Sequence, residues 1–323
     1  MNIENFNQSS SFPDSLLDLP SALPFIIDEI PLGIAVMDSR GRVILLNRAG
    51  EALTGFDRRA AKGIACRSIM KKIVMFFFFS VSLIAQQKNL FPFQNPDMTI
   101  EDRVNDLVSR MTLQEKIAQM NYDAPAIERL GIPKYNWWNE CLHGVARNGL
   151  ATVFPQAIGL AAMWDKVQIY KVASVISDEA RAKYNDAVER DSRGIYQGLT
   201  FWSPNINIFR DPRWGRGMET YGEDPYLTGQ TAVQFIKGLQ GDDPKYLKVV
   251  ATAKHFAVHS GPEPDRHSFD AEISEYDLRE TYLPAFKMSV QDAHVQSLMC
   301  AYNSLRGKAC CSNDPLLEKI LRE

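Results

Sequence analysis

Apolar and polar positions follow helical and strand spacings in alternation from about Thr99 to the end of the chain. Apolar residues recur at helical spacing from Val104 to Met120, and Thr112 with Glu115 forms a capping box that begins the second of two helices. After these, amphipathic stretches alternate with short β-rich runs. The pattern predicts helices over 167–184, 225–239 and 274–293, and strands over 199–208, 249–253 and 295–301.

Repeated strand-then-helix units predict parallel strands joined by helical crossovers, in a barrel or a doubly wound sheet. In both architectures functional side chains gather at the carboxyl ends of the strands. Three such ends combine charged or hydrogen-bonding side chains with Trp or Phe, at residues 135–147, 200–225 and 250–260. Forked charged groups suit sugar hydroxyls and aromatic rings suit sugar C–H faces, so the pattern indicates a polar small-molecule site, with a sugar as one candidate ligand.

The first 69 residues have a different character. Two short apolar runs, 33–38 and 42–47, flank a turn and predict a β-hairpin, followed by a helix that Gly55 ends. The stretch DSRGRVILLNRAGEALTGF resembles the opening of a PAS sensor domain, which implies a partial, small α+β PAS-like segment over residues 1–69. One hairpin and one helix bury little apolar surface, so this segment is not expected to fold alone.

Residues 70–87 carry the three parts of a signal peptide at an internal position. Lys71 and Lys72 form the positive end, 73–84 the apolar stretch, and Ala85 the small residue at the cleavage point. As a helix the apolar stretch is about 18 Å long, and a hydrocarbon core is about 30 Å thick, so no stable membrane span is expected. The alternative is a buried core strand or helix. The signal interpretation predicts a periplasmic or secreted protein, or a cytoplasmic one if the preceding residues block export.

Composition narrows the classes of function. The 323 residues are 45% hydrophobic and 23% charged with a net charge of −3, which is typical of a globular protein and indicates neither a nucleic-acid partner nor an anionic membrane. No phosphate-binding glycine motif occurs. The five cysteines have no metal-ligand spacing, and the adjacent Cys310 and Cys311 are poorly placed to bridge each other. We therefore expect no metal, no cofactor and no disulfide framework, and the oligomeric state is left open.

A series of motifs runs through residues 88–323: NWWNECLHGVAR, ATVFPQAIGLAAMWD, SPNINIFRDPRWGRGMETYGEDPYLTG, ATAKHFAVHSGPEPDRHSFDA, LRETYLPAFK and MCAYNSLRGKACCSN. In this order they resemble the N-terminal domain of glycoside hydrolase family 3. The resemblance implies an α/β fold of the (β/α)8 TIM-type barrel class. The form WWNECLHGVAR is most similar to the β-xylosidase branch and its β-glucosidase and arabinosidase relatives.

The resemblance also implies roles for five residues. Lys254 and His255 match a pair that holds hydroxyls of the sugar next to the scissile bond, and an adjacent Lys-His at a strand end is costly to bury without a partner. Arg216 matches a further sugar-holding arginine, Glu140 an acidic ligand for the far ring hydroxyls, and Tyr302 a tyrosine against the nucleophile. The implied activity is retaining hydrolysis of terminal non-reducing β-D-xylosyl or β-D-glucosyl residues of oligosaccharides in carbohydrate catabolism, without a cofactor.

The two carboxyl groups of a retaining mechanism, about 5–5.5 Å apart, are not found among these motifs. The resemblance places the nucleophile in a Ser-Asp motif at the strand end after MCAYN, whereas the one Ser-Asp pair here, Ser177–Asp178, lies in a helical pattern. We therefore expect the nucleophile and the acid/base beyond residue 323, a barrel incomplete at its C-terminal end, and little or no hydrolysis. A non-catalytic sugar-binding fragment and a PAS-type sensory fusion are the alternatives.

Several other polar and aromatic residues near these motifs have a structural interpretation. Arg210, Asp211 and Arg213 are predicted to form an ion-pair network within a loop, and His143 to be a structural histidine. The sequence leaves open whether three tryptophans belong to the core or to a sugar platform: Trp137, Trp138 and Trp214.

Overall fold

The computed structural model describes residues 35–37, 40, 42–54, 57–63, 65, 91–259 and 261–322. The chain divides into two compact units, residues 1–103 and 104–323. The signal-like stretch at 70–87 lies outside the described residues, so its prediction is untested. Among the helices that are described, none is both long and apolar enough to cross a membrane.

In the first unit, the predicted hairpin and helix are confirmed. Strands β1 (Ala35–Met37) and β2 (Val43–Leu46) pair antiparallel, with Ala35 opposite Leu46. Helix α1 (Arg48–Thr54) follows directly, and the short helix α2 (Arg58–Ala61) comes next. These elements agree with the start of the proposed α+β segment, and the PAS resemblance itself stays a prediction.

The next two helices confirm the capping box that the sequence predicts. Helix α3 spans Ile100–Arg110 and α4 spans Leu113–Ala118. The backbone N–H of Glu115 donates to Thr112 Oγ1 at 3.2 Å, and the N–H of Thr112 donates to Glu115 Oε2 at 2.8 Å. Two donors at the helix start that would otherwise lack a partner are thus satisfied reciprocally.

The second unit is built on three parallel strands with helical crossovers. Strands β3 (Asp123–Ala124) and β4 (Tyr135–Asn136) first form a small antiparallel pair. After helices α5 (Ala157–Ala161) and α6 (Lys166–Glu189), the main sheet has the order β5-β6-β8, all parallel. These elements are β5 (Thr200–Phe201), α7 (Pro225–Gln240), β6 (Val250–Phe256), α8 (Glu275–Asp277), α9 (Pro284–Gln291) and β8 (Ser297–Cys300).

A second, smaller sheet follows the main one. Its strands are β7 (Asp270–Ala271), β9 (Ser304–Leu305) and β10 (Lys308–Ala309), in the order β10-β9-β7. The hairpin of β9 and β10 turns the chain back toward the end of β8. This return places Cys311 next to Cys300, with Cα atoms 5.2 Å apart, and the two form a disulfide. No disulfide framework was predicted from the sequence, where only the adjacent Cys310–Cys311 pair was considered, and this single bridge was not foreseen.

Prolines account for the two predicted elements whose extent differs. The strand predicted over 199–208 is regular only at Thr200–Phe201, because Pro204 has no N–H to donate to a neighbouring strand. The helix predicted over 274–293 is divided into α8, a π-helical turn at Leu278–Tyr282 and α9, which begins at Pro284. Helices α6 and α7 and strands β6 and β8 overlap the stretches that the pattern predicts for them. The pattern does not predict the short elements of this unit, which are β3, β4, α5, β7, β9 and β10.

Helices α6 and α7 cover one side of the sheet and approach each other closely at Gly238. A Cβ at this position would lie 2.5 Å from the carbonyl oxygen of Tyr170 and 2.7 Å from the Cβ of Ala173. At the same crossing Ser177 Oγ donates to the carbonyl oxygen of Gly238 at 3.0 Å. The absence of a side chain at Gly238 therefore sets the distance between the two helices.

We expect Gly238→Ala to lower the free energy of unfolding by about 1–3 kcal/mol, because the added methyl group forces the two helices apart. Gly159 in α5 is the matched control, since a Cβ there meets its nearest atom at an ordinary 3.5 Å. Gly159→Ala should leave stability unchanged or raise it by up to about 1 kcal/mol through helix propensity. Urea unfolding midpoints of the two variants test this, and equal effects would contradict the close-packing argument.

Candidate functional site

The chain from Pro204 to Asn207 extends the main sheet beyond the end of β5, although it is not a regular strand. It runs beside the end of β6: the N–H of Lys254 donates to the carbonyl oxygen of Pro204 at 3.0 Å, and the N–H of Ile206 to that of Lys254 at 2.8 Å. Asn205 and Lys254 form an isolated parallel bridge. This pairing fixes the backbone that carries Lys254 and His255.

Lys254 brings a buried positive charge to the carboxyl end of β6. Its residue is 3% exposed, and none of the described residues accepts a hydrogen bond from its ammonium group. Burial, with the like charge of Arg216, lowers the pKa of Lys254 to about 8, although Glu219 and Glu140 act in the opposite direction. An ammonium group with a pKa of about 8, whose N–H groups have no acceptor among the described residues, can donate hydrogen bonds to the oxygen atoms of a polar ligand.

His255 is held on both sides of its ring. The backbone N–H of His255 and its Nδ1 both lie 2.9 Å from Asn207 Oδ1, and its Nε2 lies 3.2 Å from Arg216 Nη1. Burial, together with the charges of Lys254 and Arg216, holds the pKa of His255 well below its usual range. The imidazole is therefore neutral at neutral pH.

Arg216 comes from the loop after β5 and is joined to Glu219. The guanidinium donates from Nε to Glu219 Oε1 at 2.8 Å and from Nη2 to Glu219 Oε2. Burial alone would raise the pKa of Glu219, but the arginine outweighs it and the net pKa is lowered. This two-point ion pair neutralises one of the two cations beside His255 and leaves Nη1 directed at the ring.

Glu140 lies in the loop after β4 among stacked aromatic rings. Trp138 Nε1 donates to Glu140 Oε1 at 3.0 Å, and the ring of Trp138 stacks on Trp202 with centroids 4.8 Å apart. The negative charge of Glu140 acts to raise the pKa values of both Lys254 and Arg216, so it interacts electrostatically with both cations of the site. The strand ends of β4 and β5 thus contribute one acid and an aromatic face.

Tyr302 follows β8 and is 57% exposed at the rim of the site. Three histidine rings surround it, with centroids 6.3 Å away for His255, 6.3 Å for His259 and 4.8 Å for His267. Trp214 packs edge-on against His259 at 5.4 Å.

In the part of the chain that the structure describes, no group of three or more His, Cys, Asp or Glu side chains is arranged so that it could hold a metal ion.

The structure places each predicted site residue at the carboxyl edge of the main sheet or in an adjoining loop. Lys254, His255, Arg216 and Tyr302 come together, and Glu140 reaches them electrostatically. The sugar-holding roles that the resemblance assigns them remain predictions at this point.

The residues that the sequence interpreted as structural are an ion-pair network in a loop and His143. Arg213 pairs with Asp211 at 2.8 Å, whereas Arg210 lies over the ring of Tyr282, so only part of the predicted network forms. His143 Nδ1 contacts the carbonyl oxygen of Phe154 at 2.9 Å, as a structural histidine would.

The three tryptophans left open by the sequence separate by burial and stacking. Trp214 is buried and belongs to the core, and Trp137 is largely exposed. Trp138 stacks on a second tryptophan and contacts a carboxylate, so it has the environment of a platform residue.

Sequence reasoning missed four residues that complete the site: Glu219, Asn207, His259 and Trp202. Glu219 lies three residues after Arg216, a helical-turn spacing that could have indicated the ion pair. Asn205 and Asn207 alternate with isoleucines in PNINI, the period of a strand with one polar face. His259 carries no local signal, because its neighbours come from other strand ends.

The fold and the site together define an α/β domain that presents charged and aromatic side chains at the carboxyl ends of parallel strands. Residues 99–323 match the family model described as the glycosyl hydrolase family 3 N terminal domain. The chain belongs to glycosyl hydrolase family 3, a family of O-glycosyl hydrolases, and its fold is the TIM-barrel-like α/β fold of that domain.

Curated relatives include a xylan 1,4-beta-xylosidase from Xylanibacter ruminicola, 48% identical over 76% of this chain and 29% of the relative. A beta-xylosidase/alpha-L-arabinofuranosidase from Medicago sativa subsp. varia is 45% identical over 74% of this chain and 32% of its own length. The chain therefore spans about a third of the length of these relatives.

Solved structures agree with these relatives. The chain is similar to the GH3 exo-beta-xylosidase XlnD, determined with a xylobiose aziridine probe, with a TM-score of 0.66, 36% identity and coverage of 72% of this chain and 31% of that one. It is also similar to DesR, a beta-glucosidase from Streptomyces venezuelae determined with D-glucose, with a TM-score of 0.58, 34% identity and coverage of 68% and 27%.

The depressed pKa of His259 predicts a pH dependence of stability. Burial lowers this pKa from 6.5 to about 4, so the unfolded chain takes up the proton first as the pH falls. The stabilisation is complete above pH 6.5 and is lost toward pH 4, with a contribution of about 2 kcal/mol already lost at pH 5.

Urea unfolding at about pH 7.5 and 5 measures this loss. His255 acts in the same direction, because burial lowers its pKa too. His259→Gln should therefore reduce the pH dependence without abolishing it. An unchanged difference between the two pH values in this variant would contradict the assignment.

Proposed function

We propose that residues 99–322 form the sugar-holding part of a retaining β-glycosidase site that takes a terminal non-reducing β-D-xylosyl or β-D-glucosyl residue. The observation that carries this proposal is the buried ammonium of Lys254, which has no hydrogen-bond acceptor among the described residues. A buried charge without a partner is costly, and the oxygen atoms of a ligand would remove that cost.

The neighbouring groups suit a polyol. Arg216 is a forked donor anchored by Glu219, His255 is a neutral ring within 3.2 Å of it, and Glu140 is a carboxylate with a second oxygen beyond its contact with Trp138. Forked donors and acceptors bind adjacent hydroxyl groups in pairs. The stacked Trp138 and Trp202 offer an apolar face of the kind that packs on the C–H groups of a sugar ring.

A xylosyl or glucosyl substrate is also consistent with the relatives. The curated relatives described above are named as xylosidases, and the structurally similar proteins include a glucosidase determined with D-glucose. No cofactor enters the proposed chemistry, since glycoside hydrolysis by two carboxyl groups requires none.

We further propose that the 323-residue chain by itself binds sugar with little or no hydrolysis. The only Ser-Asp pair, Ser177–Asp178, lies inside helix α6 and not at a strand end. Glu219 is engaged by two nitrogens of Arg216, so it is not available as a nucleophile. The same observations favour the alternative that the chain is a non-catalytic sugar-binding fragment. An assay of hydrolysis distinguishes that alternative from an active glycosidase.

The sensory alternative has less support. It requires the first 69 residues to bind a ligand or dimerise on their own, and the described part of that segment is one hairpin with two short helices. Two strands with so little covering surface are at most marginally stable.

Lys254→Met should weaken binding of xylose at least tenfold, because it removes the ammonium and keeps the apolar stem. The same variant should keep or raise the stability of the fold, since it removes a buried charge that has no partner in the unliganded site. Isothermal calorimetry with xylose and glucose, together with urea unfolding, measures both effects.

Lys248→Met is the matched control for this experiment. Lys248 lies before the opposite end of β6 and pairs with Asp178 at 2.6 Å. Its loss should leave xylose binding unchanged, as expected for an ion pair at the surface. Equal affinity for xylose in the unmodified chain and Lys254→Met would overturn the sugar-binding proposal.

The pure 323-residue chain should not hydrolyse aryl β-xylosides or aryl β-glucosides above the background rate. The physical reason is that the two carboxylates that the described site contributes have other partners: Glu219 is bound at two points by Arg216, and Glu140 accepts from Trp138. Release of the aryl alcohol is followed by absorbance. Hydrolysis that Lys254→Ala abolishes would show that the chain is an active glycosidase by itself.

A further inference from the structure

The side-chain amide of Asn207 is held in a single orientation by the backbone around His255. Its Nδ2 donates to the carbonyl oxygens of His255 at 2.9 Å and Ala257 at 3.2 Å, and its Oδ1 accepts from the N–H of His255 at 2.9 Å. A flipped amide would set its oxygen against two carbonyl oxygens and its N–H groups against another N–H. Asn207 therefore presents Oδ1, and not Nδ2, to the imidazole ring.

This orientation decides which nitrogen of His255 carries the proton. Nδ1 lies 2.9 Å from Asn207 Oδ1, which can only accept, so the proton is on Nδ1. Nε2 lies 3.2 Å from Nη1 of Arg216, and a guanidinium can only donate, so Nε2 is an unprotonated acceptor. Two contacts to different ring nitrogens thus require the same tautomer.

The surroundings also keep this ring uncharged. Burial and the neighbouring positive charges hold the pKa of His255 well below its usual range. Titratable or charged groups from its own strand and from three loops face the ring. They are Lys254 in β6, Arg216 in the loop after β5, His259 and Arg266 in the loop after β6, and Tyr302 in the loop after β8.

We propose that Asn207 is a positioning residue that holds His255 as a neutral acceptor, so that a sugar hydroxyl between Lys254 and His255 accepts from the ammonium and donates to Nε2. This inference rests on the proposed sugar-binding function and adds the direction of each hydrogen bond. Nε2 has one lone pair, so the hydroxyl takes the place of Arg216 Nη1, which becomes free to bind the same sugar. The sugar position between Lys254 and His255 must then carry a hydroxyl group, because a fluorine atom there cannot donate a hydrogen bond to Nε2.

A second asparagine–histidine pair nearby offers a matched control. Asn303 Oδ1 lies 3.0 Å from His259 Nδ1, and Asn303 Nδ2 donates to the carbonyl oxygens of Val258 at 2.7 Å and Ser304 at 2.8 Å. The same argument assigns the proton of His259 to Nδ1. Its Nε2 is buried and has no partner among the described residues, and the proposal gives it no contact with the sugar.

Nitrogen NMR of the unmodified chain with ¹⁵N-labelled histidine tests the tautomer directly. We expect His255 to carry its proton on Nδ1, and to remain neutral, from about pH 8 down to about pH 5.5, where an ordinary histidine is already charged. A proton on Nε2 would overturn the proposal whether or not sugar binds.

Asn207→Asp keeps the shape of the side chain, adds a negative charge beside Nδ1 and removes the two hydrogen bonds to the carbonyl oxygens of His255 and Ala257. Asn303→Asp removes the two corresponding hydrogen bonds of Asn303 and so controls for that loss. The carboxylate favours the imidazolium, so His255 should titrate at a higher pH than in the unmodified chain, and Nε2 should become a donor once the ring is charged. Asn303→Asp should produce the same change at His259 and should not raise the pKa of His255, because a charged His259 ring 4.9 Å away disfavours the imidazolium of His255. NMR pH titrations of the two variants give this comparison.

Calorimetry with methyl β-xyloside and its 2-, 3- and 4-deoxyfluoro derivatives tests the direction of the hydrogen bond. Fluorine at one position should weaken binding to the unmodified chain by about tenfold. At a pH at which the NMR titration shows His255 charged in Asn207→Asp, this loss should shrink to less than about threefold in that variant and persist in Asn303→Asp. Equal fluorine sensitivity in both variants would overturn the proposal. Absence of binding to any of these sugars would instead reject the proposed function, and the NMR result would still decide the role of Asn207.

Discussion

A positive charge held almost out of solvent at the end of strand β6 is the constraint around which this site is arranged. Lys254 has no acceptor among the described residues, and a second cation, Arg216, lies close enough to lower its pKa. The structure tolerates this because Glu219 neutralises Arg216 through two hydrogen bonds and because His255 between them stays uncharged. Electrostatic cost in the unliganded site is thus concentrated on one group that a ligand can satisfy.

The backbone that supports this charge pairs regularly with β8 on one side and is held irregularly on the side of β5. Pro204 interrupts the ladder of β5, and the chain after it is held against β6 by isolated backbone hydrogen bonds and by the side chain of Asn207. The amide of Asn207 donates to the carbonyl oxygens of His255 and Ala257 and accepts from the N–H of His255, so one side chain satisfies three backbone groups that follow Lys254.

Much of the fold could be predicted from periodicity, and the errors have identifiable causes. The helices at 166–189 and 225–240 and the strand at 250–256 lie where their apolar patterns indicated. Strand 199–208 and helix 274–293 were predicted too long, because apolar spacing does not register the N–H group that Pro204 and Pro284 lack. The disulfide between Cys300 and Cys311 could not be foreseen either, since it depends on the hairpin that returns the chain.

The sequence by itself determined the family, the alternation of strands and helices, and the five residues expected to hold a sugar. It could do so because periodicity and motifs are local, and a motif is recognised without knowing what it touches. Only the tertiary structure decided that Trp138 stacks on Trp202 and that His255 is held between an asparagine and an arginine. Most of these partners lie in different loops. The charge of a side chain, the tautomer of a histidine and the direction of a hydrogen bond depend on the neighbouring groups, and these neighbours come together only when separate strand ends meet at one edge of the sheet.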